Sequence, residues 1–147
     1  MKNKRLLAFV CFTLICVGIC VTLWYFAPKT FLRGVDAEDI SKISVFDGGT
    51  GQRFDITERE EIVKIVDNVS GISMKRGKLS RGYDGFRYSM DFVDESGRVI
   101  ESFIVNSEDT IRDDPFFWHC EGELCYEYLG EIEGKYIPDG EMRKMTD

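Results

Sequence analysis

Cys120 and Cys125 flank Glu121-Gly122-Glu123-Leu124 in a C-x4-C pattern, and His119 stands directly before them. A zinc site needs three or four ligands, and the chain offers no second cysteine pair and no second histidine to complete one. A metal is therefore not expected, and no motif calls for a cofactor. The same two cysteines are the only ones beyond the apolar N-terminal run. In a domain outside the cytoplasm they are expected to pair as a disulfide, with two free thiols as the alternative in a reducing setting. Closing so short a loop would stabilise by about 2 kcal/mol, a local clip rather than a foundation of the fold.

Lys75, Arg76, Lys78 and Arg81 place four positive charges in seven residues, with no acid between Asp67 and Asp84. Such a basic stretch suits anionic lipid, wall polymer or an acidic partner, and a merely solvated loop is the competing account. Phe116, Phe117 and Trp118, with Tyr126, Tyr128 and Tyr136, concentrate six aromatics in 21 residues. They read as a stacking surface for glycan or peptide, or as core beneath the C-terminal third. The candidate binding residues are thus Lys75, Arg76, Lys78, Arg81, Phe116, Phe117 and Trp118. No catalytic residue emerges. A Ser-His-Asp set has only His119 to draw on, G-x-S-x-G is absent, and Ser73-Met74-Lys75 is one residue short of S-x-x-K. Glu58, Glu60 and Glu61 belong to a helix start, and Asp94 and Glu95 to a turn. Acid pairs from distant segments are invisible in a sequence.

Whatever these residues do depends on where residues 6–27 place them. This run, LLAFVCFTLICVGICVTLWYFA, carries no charge between Arg5 and Lys29. At about 1.5 Å per residue it matches a hydrocarbon core about 30 Å thick. A cleaved signal peptide has a shorter apolar region and ends in small residues, whereas this run ends Tyr25-Phe26-Ala27-Pro28. A lipoprotein needs a small residue before its cysteine, and Cys11, Cys16 and Cys20 follow Val10, Ile15 and Ile19. A retained anchor also explains Trp24-Tyr25-Phe26 as an interfacial belt. Lys2, Lys4 and Arg5 favour a cytoplasmic N-terminus, which puts the domain outside. Ala8, Cys11, Gly18 and Thr22 fall near one helical stripe, either a packing face for a partner helix or ordinary lipid-facing filler.

The expected organisation is a cytoplasmic tail at 1–5, an anchor at 6–27, a linker at 28–35, a domain at 36–137 and a frayed C-terminus at 138–147. Without its three N-terminal bases, the chain keeps 16 basic residues against 26 acidic ones, a net −10. So acidic a domain is a poor nucleic-acid binder. Ile40, Ile43, Val45 and Phe46 give a first strand, Asp47-Gly48-Gly49-Thr50-Gly51 a hairpin turn, and residues 53–56 its return strand. Thr57 and Glu60 form a capping box before a helix with its apolar face on Ile62, Ile65, Val66 and Val69. Residues 74–82 read as a loop. Phe86, Tyr88, Met90 and Phe92 alternate as a strand whose partner, 99–105, follows the turn Asp94-Glu95-Ser96-Gly97, and this hairpin is expected at the centre of the sheet. Thr110-Ile111-Arg112 reads as an edge strand, and residues 124–132 as a short helix weakened by Gly130.

One helix on an antiparallel sheet makes an α+β domain, β-β-α-β-β with C-terminal additions. The order of a signal-like helix, a strand ending DGGTG, a capped helix and a DESG hairpin resembles small membrane- or lipid-anchored extracytoplasmic proteins of Gram-positive bacteria. That resemblance brings no catalytic residues with it. The expectation is an anchored, non-enzymatic module that binds a protein or cell-envelope partner. An accessory subunit of a membrane complex, attached through its helix, is the alternative, and an enzyme comes third.

Overall fold

Alternation of apolar and polar side chains dictates the sheet. The computed structural model describes residues 2–137. Strands β1 (Lys42–Asp47) and β2 (Arg53–Ile56) pair as the expected hairpin, with Gly51 supplying a positive φ of 74° in the turn. After helix α2 (Arg59–Ser70) come β3 (Lys75–Leu79), β4 (Tyr88–Val93), β5 (Val99–Ser107), β6 (Thr110–Asp113) and β7 (Phe116–His119), then helix α3 (Tyr126–Tyr136). All pairings are antiparallel, in the order β2-β1-β4-β5-β6-β7-β3. The domain is α+β, with the β4–β5 hairpin at mid-sheet as expected. Five strands follow α2, however, rather than the two of a β-β-α-β-β unit. The frayed terminus expected at 138–147 lies outside the described residues.

Ile43, Val45, Met90, Phe92, Phe103, Val105, Ile111 and Trp118 share one buried face of the sheet, in one core with Ile62, Ile65, Val66 and Val69 of α2. The opposite face is polar and bonded across strands: Ser44 donates to Asp55 at 2.6 Å, and Ser102 to Asp91 at 2.6 Å. Because β3 lies at one edge and β4 near the middle, the 80–87 connection crosses β7, β6 and β5 on that outer face. Tyr83 stands edge-on to Phe117 at 5.2 Å and Phe86 leans on Phe46 at 5.6 Å, while Arg112 holds the Tyr83 carbonyl at 2.7 Å.

Several expectations are corrected. Residues 75–79 are not loop but the edge strand β3, and β6 is internal, between β5 and β7. The 28–35 segment is not a free linker. Phe31 and Leu32 are each 1% exposed, and Lys29 bridges to Met74 through two backbone bonds. The capping box does not form: Glu58 is the N-cap of α2 and makes no side-chain cap bond. The N-terminus of α2 is instead tied down by Arg59, whose guanidinium donates to the Ala37 carbonyl. Thr57→Ala should therefore change stability by less than about 0.5 kcal/mol in urea unfolding, where a formed cap would cost about 1 kcal/mol.

Helix α1 (Lys2–Phe26) stands apart from this core. From Lys4 to Phe26 it is long and apolar enough to cross a membrane, and its leucines, valines and phenylalanines are exposed. Ala8, Cys11, Gly18 and Thr22 are exposed as well, and the Thr22 hydroxyl returns to the Gly18 carbonyl at 2.8 Å. That internal bond satisfies the hydroxyl without an outside partner.

Candidate functional site

Pairing between β3 and β7 decides what the basic residues can do. Arg76 stands opposite Trp118 and Lys75 opposite His119, with a register shift between Arg76 and Leu79. The four charges do not form one patch. Lys75 leaves for Glu121 at 2.6 Å, an ion pair so exposed that it contributes little. Lys78 lies over the Phe117 ring at 5.5 Å, beside Tyr83 and His119, and Arg81 is exposed. Basic side chains on β3 also protect an edge strand from adventitious pairing. Gly77 fits this edge because a Cβ there would lie 2.6 Å from the His119 ring. His119 itself pairs with the Thr110 hydroxyl at 2.9 Å.

Arg76 has a different setting. Its guanidinium lies 4.3 Å from the Trp24 ring, 4.7 Å from Phe116, 5.0 Å from Trp118 and 5.3 Å from Tyr25. Two of these rings belong to the end of α1 and two to β7, so Arg76 fastens the helix to the sheet edge. Tyr25 adds an edge-on contact with Phe116 at 6.5 Å. Contacts of this kind contribute about 0.5–2 kcal/mol each, more as water is excluded. Arg76 Nε and Nη1, and the indole Nε1 of Trp118, are nonetheless buried without a hydrogen-bond partner among the described residues. Each such donor costs about 1–3 kcal/mol. Beside them opens a cleft of about 440 Å³, lined by Trp24, Lys29, Thr30, Arg33, Arg76 and Trp118 among others. Lys29 is neutralised by Asp113 at 2.5 Å, leaving Arg33 and Arg76 as its excess charge.

The aromatic cluster is accordingly divided. Trp118 is 5% exposed in the core and Phe117 is 4% exposed beneath Tyr83 on the outer face, so neither is an open stacking platform, and only Phe116 of the three is half-exposed at the seam. The expected Cys120–Cys125 disulfide is absent, for both are free thiols. The Cys120 thiol donates to the carbonyls of Gly122 at 3.2 Å and Asp109 at 3.6 Å. Cys125 is turned into the core at the start of α3, where burial pushes its thiol up to about 12. So high a value makes it an inert apolar side chain.

One ionic group has no counterpart among the expected sites. Asp47, at the end of β1, is 0% exposed and Glu133, on α3, is 9% exposed. Arg87 reaches Asp47 at 3.2 Å and Glu133 at 3.5 Å, and the Tyr88 hydroxyl lies 3.2 Å from Glu133. Asp47 also accepts from the Gly49 backbone at 2.7 Å and the Thr50 hydroxyl at 2.8 Å. Burial raises the Glu133 carboxyl above its ordinary value, and the bond and charge of Asp47 raise it further. A buried acid pair invites a catalytic reading. Asp47 is closed to solvent and Glu133 nearly so, and through Arg87 and Thr50 they form a strut that joins α3 to the β1–β2 turn. A signal for both was present, since Asp47 continues the buried parity of Ile43 and Val45, and Glu133 follows Leu129 by one helical turn.

The structure thus defines an α+β domain packed on the end of one long apolar helix, with a basic and aromatic seam between them. No known family, curated protein or solved structure matches this chain.

Proposed function

We propose that the chain is a single-pass, membrane-anchored binding module without enzymatic activity. Residues 6–27 cross the bilayer, Lys2, Lys4 and Arg5 stay on the cytoplasmic side, and the domain engages a protein or cell-envelope component outside. The observation that carries this is the packing of Trp24 and Tyr25 against Arg76 and Phe116. A signal destined for cleavage has no need of contacts with the mature domain, whereas a retained anchor gains a fixed domain height and orientation from them. The closed Asp47–Glu133 pair supports a binding role over a catalytic one.

Expressed in bacteria, the full chain should stay in the membrane pellet after alkaline extraction, at its full length. Added protease should digest the domain in intact spheroplasts. Release of a shortened soluble chain would overturn the anchor, and a protected domain would overturn the orientation. Exchanging residues 6–27 for an unrelated membrane helix that keeps Trp24 and Tyr25 should preserve partner cross-linking; its loss would favour association through the Ala8, Cys11, Gly18 and Thr22 stripe.

A further inference from the structure

We infer that the cleft where α1 meets the sheet edge seats the phosphodiester headgroup of an anionic phospholipid, an inference that rests on α1 crossing the bilayer. Position is the first ground. Trp24 lies in the last turn of α1, and Lys29, Thr30 and Arg33 follow within a few residues of its end. A spanning helix holds this cleft at headgroup depth, where phosphodiesters are the concentrated anion.

Charge is the second ground. Arg33 and Arg76 make no ion pair among the described residues, in a domain that is otherwise strongly acidic. Among the described residues no carboxylate lines the cleft, and the nearby Asp113 is already taken by Lys29, so a choline or ethanolamine ammonium finds no free counter-charge there, while a net anionic lipid finds two guanidinium groups. Donor chemistry is the third. Arg76 Nε and Nη1 and Trp118 Nε1 are three N–H groups buried beside the cleft without an acceptor among the described residues. A phosphodiester brings two free anionic oxygens, strong acceptors for guanidinium and indole N–H groups. The rings of Trp24, Tyr25 and Phe116 then flank the glycerol and upper acyl chain.

The test uses a feature of the composition: the chain has two tryptophans, Trp24 and Trp118, and both line the cleft. Full-length protein is placed in nanodiscs of phosphatidylcholine alone or mixed with phosphatidylglycerol. Tryptophan emission is followed, and lipids retained after detergent extraction are counted by native mass spectrometry. Phosphatidylglycerol should shift the emission and be retained over phosphatidylcholine. Arg33→Gln and Arg76→Gln should each reduce that preference about fivefold. Arg33 is exposed, so its variant keeps the test valid if Arg76→Gln fails to fold. Inorganic phosphate added to phosphatidylcholine discs should leave the emission unchanged; a shift there would assign the cleft to a soluble anion. Equal retention of both lipids, or a preference untouched by either variant, overturns the inference while leaving the anchor intact. Failure of the protein to enter nanodiscs at all would instead overturn the anchored reading beneath it.

Discussion

Asp47→Ala is expected to lower the unfolding free energy by about 3–5 kcal/mol, the cost of removing one partner from a buried ionic group. The carboxylate is fully enclosed and accepts from Gly49, Thr50 and Arg87. Its loss frees the β1–β2 turn and leaves Arg87 with the Tyr88 hydroxyl at 2.9 Å and, among the described residues, Glu133 as its carboxylate partner at a long 3.5 Å. Glu133→Gln should behave differently. Glutamine keeps the size of the side chain and can still accept from Tyr88 and Arg87, but it removes the titration. In the wild type the Glu133 carboxyl is held above its ordinary value of 4.5, so the folded state binds its proton more tightly than the unfolded state does. Its stabilising contribution is therefore present in full below that ordinary value and lost as pH rises through the elevated one. Glu133→Gln should gain on the wild type as pH climbs from about 4.5 toward neutrality. Urea unfolding of the full chain in micelles, followed by circular dichroism across that range, measures the gap. A gap that stays constant with pH, or a mild Asp47→Ala, would show that the group is not the strut described.

Elements whose signals are local were legible from the sequence. The face of α2 is written in the spacing of Ile62, Ile65, Val66 and Val69, and β4 in the alternation of Tyr88, Met90 and Phe92. Both hairpin turns announce themselves through Asp-Gly-Gly and Asp-Glu-Ser-Gly. Strands made by their neighbours were not legible. Lys75-Arg76-Gly77-Lys78-Leu79 has no apolar period, and Phe116-Phe117-Trp118-His119 has apolar side chains on both faces. The first is a strand because β7 supplies its hydrogen bonds, and the second because β6 and β3 pair with it on either side. The basic residues stand out as a group by type, but only pairing could reveal that they part company, Arg76 facing α1 while Lys78 faces the outer sheet. Asp47 and Glu133 lie at opposite ends of the domain's sequence, and no pattern pairs them. The Phe31-Leu32 step was hidden for another reason, since apolar residues just after a long apolar helix blend into it.

That step leads to the second large effect: a chain beginning at Asp36 should fail to fold, while one beginning at Pro28 should fold. Phe31 packs on Phe103 at 5.1 Å and edge-on to Trp118 at 6.1 Å, both rings of the central core. Leu32 is equally buried even though its backbone takes a positive φ of 55°, a conformation costly for a branched side chain. Only strong packing holds such a residue there. Deleting a buried Phe side chain costs about 3–5 kcal/mol and a buried Leu about 2–5 kcal/mol. Their sum approaches the whole stability of an ordinary domain, about 5–15 kcal/mol, before the loss of the Lys29–Met74 bridge and the Lys29–Asp113 ion pair. Purified without the apolar helix, the two chains can be compared by circular dichroism and by dispersion of amide resonances. A cooperative transition for the chain starting at Asp36 would return residues 28–35 to the status of a tether. Its absence, with folding intact from Pro28, would show that the domain begins within two residues of the helix end. So short a gap leaves the domain little freedom to swing, and it is the physical reason a cleft shared between α1 and β3 can keep a fixed shape.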